Sequence, residues 1–392
     1  MQSFSLLSAN QGALSLGKSG DVASIDFPYP VRGGKKYIAP PSSSLQFTQH
    51  GWVFGDANFN SDFPTSANAG EQLFLNETGT KVDGVISIDP NAVAALLQVT
   101  GPIPIPEYNT TAQASTFAEE VFQREEKVVN IVPGRKNFFP AVADRLIEKV
   151  SSLPSDAWPN LLNVLNGAVL ARQLQVYFNN PTAEAEMGRI NWASSTVAPT
   201  ADREAMLEVE SNFSGTKANH FIERSYDLSL VNDNGKLHHH LVINLKNSTP
   251  DGYSGGRQYT CYLRFYYPAS ATDAVVKNLT RDRYPSDEKP NGAKLVDGWL
   301  NIEVNLKSGF GTYQVVIDYT TDLGDAASAH QIYWQKQAGT LSDKVHVSYQ
   351  TGGNTFTVDS DLGQDRVLTL SPQGLAVKPG NVPIAHLPVL GT

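Results

Sequence analysis

The spacing of apolar residues runs mainly in three- and four-residue steps through the stretch that ends near residue 198 and turns to strict alternation after about residue 204. At the start, FSLLSAN and ALSLG alternate around Asn10-Gln11-Gly12 and predict a β-hairpin, with a further strand over Asp21 to Asp26. Residues 27–52 are rich in Pro, Gly and Ser and predict a long surface loop. A helix, strand, helix order follows. Pro64 and Thr65 supply helix-start chemistry, Ala67 to Leu75 reads as helix, and Gly79 stops it. VDGVISI is a short apolar strand ending at Asp89-Pro90, where a helix over Asn91 to Thr100 begins and Gly101-Pro102 terminates it.

Helical spacing continues in TFAEEVFQREEKV, FFPAVADRLIEKVSSL and AWPNLLNVLNGAVLA, with Ser155 and Asp156 as cap candidates for the last. QLQVYF is a strand or the end of that helix, and PTAEAEMGRINWA a short helix. Eight alternating segments then follow: MLEVESNF, HFIERSYDLSLV, LHHHLVINLKN, YTCYLRFYYP, LNIEVNLKSG, YQVVIDYTT, QIYWQKQ and KVHVSYQ. Polar, Gly-bearing turns separate them, which predicts an all-β antiparallel sandwich of Ig-like type. The expected division is an α/β or α+β domain at 1–198, the β-sandwich at 199–372, and a Pro/Gly-rich tail or linker at 373–392.

Composition narrows the classes. The 392 residues suffice for two or three well-buried domains. With 30 basic against 39 acidic residues and no basic stripe, nucleic-acid binding is disfavoured. Cys261 is the sole cysteine, so no intrachain disulfide can form, and its alternating setting reads as a packed, inert thiol. No run of about 18 apolar residues could span a bilayer, and no signal peptide is present. The abrupt strand-like start reads as a cut from a longer chain.

Candidate chemistry gathers first in Asp56, Asn58, Asn60 and Asp62, which place an oxygen at every second residue, as a hard cation such as Mg²⁺ or Ca²⁺ requires. An EF-hand is excluded, because Ser61 stands where it needs glycine and Ala67 where it needs glutamate. Capping and loop hydrogen bonding compete for the same residues, Asp62 above all. Asp89 is placed to cap the Asn91 helix. Asp83 sits beside Gly84, where a backbone can approach closely. Of His238, His239 and His240, only the first and last can share a strand face, and two imidazoles without a third ligand make a weak metal site. Asn212 and Lys217 lie in the turn that opens the β-domain. Tyr259, Tyr262, Phe265, Tyr266 and Tyr267 divide between core and surface, where tyrosines could stack on sugar rings.

The block DANFNSDFPTSA…VDGVISIDPNAVAALLQVTGPI resembles the bacterial domain-of-unknown-function family 4012 (DUF 4012), as do SNFSGTKANHFIERS, YLRFYYPASA and YWQKQAG. Members of that family face the cell exterior on an N-terminal membrane helix, which the resemblance implies for this protein ahead of residue 1. A second likeness is to the LytR-CpsA-Psr fold, whose enzymes move glycopolymers from a polyprenyl-pyrophosphate carrier using arginines, acidic residues and a divalent cation. Where those enzymes carry an arginine, this chain has Ser24-Ile25-Asp26-Phe27-Pro28, and Arg32 is the nearest.

The resulting expectation is an extracytoplasmic envelope protein that binds or helps assemble a glycopolymer or its lipid carrier. Asn58, Asn60, Asp89, Asn212 and Lys217 are its ligand-binding candidates. The rival readings are a transferase or hydrolase working through Asp56, Asp62, Asp83 and Arg32, and a structural or adhesive surface module.

Overall fold

A computed structural model describes residues 3–27, 35–40, 51–126, 138–200, 203–212, 216–253, 259, 261–268, 270–278, 287–288, 312–323 and 329–380. The chain divides into two compact units, meeting in sequence at Ser195 and Thr196.

The first unit mixes helices and strands. Strands β1 (Ser3–Asn10) and β2 (Ala13–Asp21) form the expected antiparallel hairpin, with Gln11 and Gly12 at positive φ in its two-residue turn. Beyond Asp21 the chain does not continue as a strand. It turns into a four-residue helix, α1 (Ala23–Asp26), and Asp21 accepts from the Ala23 amide. Most of the expected surface loop, residues 28–34 and 41–50, lies outside the described residues. A 3₁₀ segment at Phe54–Phe59 then leads into α2 (Phe63–Thr78).

Both ends of α2 obey their local chemistry. Asp62 accepts from the Thr65 amide and hydroxyl at the N-cap, and Gly79, at φ +74°, closes the C-terminus in the left-handed region. Asp89 caps α3 (Pro90–Thr100) by accepting from the Asn91 and Ala92 amides. An Asp89→Ala variant leaves both amides without that acceptor, so its urea midpoint should fall by the equivalent of about 1 kcal/mol. An unchanged midpoint would show the cap to be energetically idle.

β3 (Gly84–Ile88) pairs antiparallel with β6 (Leu174–Phe178), and a short hairpin joins β4 (Ile103–Ile105) to β5 (Thr110–Ala112). Gly84 makes the first pairing possible: any Cβ there would collide with the Tyr177 carbonyl oxygen. Helices α4 (Phe117–Glu126), α5 (Phe138–Ser151), α6 (Trp158–Leu170) and α7 (Pro181–Arg189) complete the unit. Ser155 and Asp156 do not cap α6; they form a 3₁₀ turn before it, and the helix starts at Trp158 without a side-chain cap. Val93, Leu97, Ile103, Ile105, Phe117 and Phe138 lead the apolar core beneath α3 to α6.

The second unit, residues 196–382, is all β among its described residues. Its strands are β7 (Arg203–Asn212), β8 (Ile222–Asp233), β9 (Lys236–Asn247), β10 (Cys261–Tyr266), β11 (Thr272–Asn278), β12 (Asp287–Glu288), β13 (Thr312–Asp322), β14 (His330–Gln335), β15 (Lys344–Thr351), β16 (Asn354–Asp361), β17 (Arg366–Ser371) and β18 (Gly374–Pro379). One sheet runs β10-β7-β14-β17-β18 and the other β12-β11-β13-β9-β8-β15-β16. Side chains from both, among them Leu228, Leu241, Ile243, Ile332, Trp334 and Leu368, make one apolar cluster.

The expected antiparallel order is incomplete, because β14 runs parallel to β7 and β15 parallel to β8, making both sheets mixed. These pairings join strands far apart in sequence, which no turn signal announces. The segment from residue 373, expected as a tail, begins with β18, fully paired to β17. The strand expected at LNIEVNLKSG and the Cys261 side chain lie outside the described residues.

Candidate functional site

Two carboxyls meet beneath the Phe54–Phe59 turn. Asp26 ends α1 and Glu77 lies in the last turn of α2, each about nine-tenths buried. Asp26 accepts from the Gly55 amide at 3.3 Å, and Glu77 Oε1 accepts from the Phe54 amide at 2.9 Å. A Cβ at Gly55 would sit 2.6 Å from Asp26 Oδ2, so a larger residue there would have to push the Asp26 carboxyl aside. Two adjacent backbone amides are therefore each spent on one member of the pair. Phe54 itself packs edge-on against Phe74, which also meets Phe4 of the hairpin.

The pair cannot hold two charges at close range in a dry setting. Burial lifts Glu77 to about 8, and its hydrogen bond to Asp26 and the Asp26 charge add to this, against the opposing pull of the Phe54 amide and Lys35. Asp26 is also raised by burial, although the bond from Glu77 and the Gly55 amide restrain it. Near neutral pH the protonated Glu77 carboxyl donates to an Asp26 carboxylate. Lys35 stands close, its Nζ donating to the Ile25 carbonyl at 2.9 Å.

Asp56 belongs to the same turn. Its side chain is exposed, yet the surrounding protein and the Asp26 charge raise its carboxyl above the ordinary range. Among the described residues its carboxylate has no hydrogen-bond partner, while its backbone carbonyl accepts from the Trp52 indole at 3.1 Å. The turn thus presents one solvent-facing carboxylate over a buried pair that stores a proton.

The other sequence candidates do not join it. Asp62 is the α2 cap, and Asn60 turns back on the loop, accepting from the Asp62 amide through its side chain and from Ser66 through its carbonyl. Asn58 is exposed on the turn. Asp89 is the α3 cap. Asp83 is exposed ahead of β3, with its backbone carbonyl bound by Asn179, and its charge helps raise Glu71 beside it, an effect second to burial. Asp56, Asp62 and Asp83 are therefore held by three different local structures. Arg32 lies outside the described residues. Among the described residues no group of three or more His, Cys, Asp or Glu side chains is placed to hold a metal ion.

In the second unit, Asn212 binds the Thr216 carbonyl and Asn219, and Lys217 begins the short turn Ala218–Phe221. Asn212 thereby ties together the connection from β7 to β8. Tyr259, Phe265, Tyr266 and Tyr267 are all buried, so these four present no aromatic platform for a sugar; the Tyr262 side chain is not among the described residues. His239 faces the interior and stacks on Tyr319, while His238 and His240 face outward.

Asp26 and Glu77 were not among the sequence candidates, but a signal existed for one of them. Along α2 the buried positions are Phe63, Ser66, Ala67, Gly70, Glu71, Leu73, Phe74 and Glu77, so two glutamates occupy the apolar stripe. An acid at a core position of an amphipathic helix needs a partner. Asp26 carried no comparable mark.

The architecture defines a two-unit protein, α+β followed by all-β, with its acidic site in the first unit. Residues 1–125 match the model of a family described as protein of unknown function (DUF4012). The matched segment contains Asp26, the Phe54–Phe59 turn, Asp56 and Glu77. No curated protein matches the chain.

Proposed function

We propose that this is an extracytoplasmic, envelope-associated protein that binds, or helps assemble, a cell-surface glycopolymer or its lipid carrier, with the Asp56 turn as its ligand rim. The observation that carries the site is the Asp56 carboxylate, without a hydrogen-bond partner among the described residues, above the proton-sharing Asp26–Glu77 pair. The ligand class follows from the family resemblance, and the finer fold assignments belong to the same proposal: a LytR-CpsA-Psr-like first unit and an Ig-like sandwich.

Charge discriminates between the glycan and the carrier. A carboxylate accepts hydrogen bonds from sugar hydroxyls, whereas it repels a pyrophosphate unless a divalent cation stands between them. The glycan portion is therefore the favoured contact, with Mg²⁺ or Ca²⁺ required if the pyrophosphate itself binds. The enzymatic alternative draws support from the same pair, because a carboxyl held protonated near neutral pH is suited to general-acid work.

Thermal shift separates these readings. Soluble envelope-glycan fragments should raise the melting temperature of the wild type without added metal, and Asp56→Asn should abolish the rise while leaving the unliganded melting temperature unchanged. Stabilisation by polyprenyl-pyrophosphate that appears only with Mg²⁺ would move the assignment to the carrier. Product release from either substrate, lost in Glu77→Gln, would establish the enzyme. No shift with any of them would leave a structural surface module and overturn the proposal.

A further inference from the structure

The histidine run of β9 is split by the strand itself. His239 points into the interior, where its Nε2 lies 3.0 Å from Thr321 Oγ1, and His238 and His240 stand exposed on the opposite face. Those two are built alike. His240 Nδ1 lies 2.6 Å from Asp318 Oδ1, and His238 Nδ1 lies 3.0 Å from Thr320 Oγ1. Asp318 and Thr320 are the residues directly opposite on β13, so the register of the sheet sets both contacts.

The hydrogen bonds decide which nitrogen is available. An ionised carboxylate only accepts, so His240 holds its proton on Nδ1 and turns the Nε2 lone pair away from the sheet. The Thr320 hydroxyl can accept from His238 in the same manner. Among the described residues neither Nε2 has a hydrogen-bond partner. A ring nitrogen tied to an oxygen of the sheet, with the other presented outward, is the arrangement that metal-ligating imidazoles adopt. Alternate strand residues are about 7 Å apart along the chain, so the two rings have to tilt toward each other to reach one ion at Zn–N distances of about 2 Å.

We propose that His238 and His240 form, through their Nε2 atoms, a surface site for a borderline divalent transition ion, Zn²⁺ or Cu²⁺, with Asp318 as a positioning residue. Imidazole ligands select these ions over Mg²⁺ or Ca²⁺. The remaining coordination positions are open to water. The site lies on the outer face of the seven-stranded sheet and is independent of the Asp56 turn. His346 supplies an internal comparison. It too is exposed and bound through Nδ1 to a carboxylate, Asp359, at 2.7 Å, but Ser348 stands two residues on where a second imidazole would be needed.

Isothermal titration of the full chain with ZnCl₂, repeated with CuCl₂, tests this. The wild type should bind one ion with micromolar affinity. His238→Ala and His240→Ala should each weaken binding at least tenfold, Asp318→Asn should weaken it about tenfold by releasing the ring it orients, and His346→Ala should leave it unchanged. Far-UV circular dichroism confirms that these surface variants remain folded. Binding that survives the His238→Ala/His240→Ala double substitution, or that falls equally in His346→Ala, overturns the site.

Discussion

Arg224→Met should lower the stability of the second unit by about 3–5 kcal/mol, the range for an uncompensated buried charge. Arg224 binds Glu210 through two nitrogens, at 2.5 and 3.1 Å, and the two side chains retain only 10% and 2% of their exposure. Tyr259 also donates to Glu210, and Tyr226 donates to the neighbouring Glu208 at 3.0 Å. Burial opposes the Arg224 charge, but Glu210 beside it more than offsets this and raises the guanidinium well above its ordinary value. Burial, with the Glu210 charge next, also pushes Glu208 well above its ordinary value. Arg224 thus sets a full positive charge directly against the Glu210 carboxylate. Methionine preserves most of the stem and removes the charge, stranding the carboxylate. Urea unfolding followed by circular dichroism should show the loss, and the Glu210→Gln/Arg224→Met double variant should recover a large part of it. A single-variant loss below about 1 kcal/mol would mean that water reaches Glu210.

The second large effect is on pH dependence. Glu77 is raised when folded, so between its unfolded value of 4.5 and its folded value of about 8 the native state holds a proton that the unfolded chain lacks. Stability then decreases as pH rises. The contribution is fully present below about pH 4.5 and is lost as pH climbs through about 8. At about 1.4 kcal/mol for each tenfold difference in proton affinity between the folded and unfolded chain, the wild type should lose about 3 kcal/mol between pH 5 and pH 8. Asp26, also raised by burial, acts in the same direction.

Glu77→Gln places a permanent donor against Asp26 and keeps an acceptor for the Phe54 amide. The variant should show a flatter profile over this range and exceed the wild type in stability at pH 8. A wild-type profile that is flat, or that rises with pH, would exclude the shared proton.

What was legible in the sequence was local. Asp62, Asp89 and Gly79 could be placed because capping depends on residues within one helical turn, and the Gln11-Gly12 hairpin because its turn chemistry is contiguous. The Gly84 constraint was likewise visible as a position open to close approach. The pairing of Asp26 with Glu77 was not legible, since α1, the Phe54–Phe59 turn and α2 meet only after the chain has folded back.

β7 shows the same limit from another side. In MLEVESNF the alternation separates Leu207 and Val209 from Glu208 and Glu210, and the plain reading sends the glutamates to solvent. In the structure it is Met206, Glu208 and Glu210 that face the core shared by the two sheets, with Leu207 and Val209 buried on the other face. A period of two defines two faces without saying which is covered. Glu204, on the same inward row, is met by Thr321, His330 and His239. Burial alone would raise Glu204, but the His239 charge and these hydrogen bonds hold it down to about 2.

By itself, then, the sequence determined the likeness of its first 125 residues to the DUF4012 model, the change from helical to alternating spacing near residue 200, and the caps and turns that bound its elements. Only the tertiary structure decided that β7 and β14, and β8 and β15, run parallel, and which acids are buried together. The physical reason is range. Caps, turns and periodicity are set by forces acting within a few residues, whereas a shared proton or a buried ion pair exists only once distant segments have excluded water from between them.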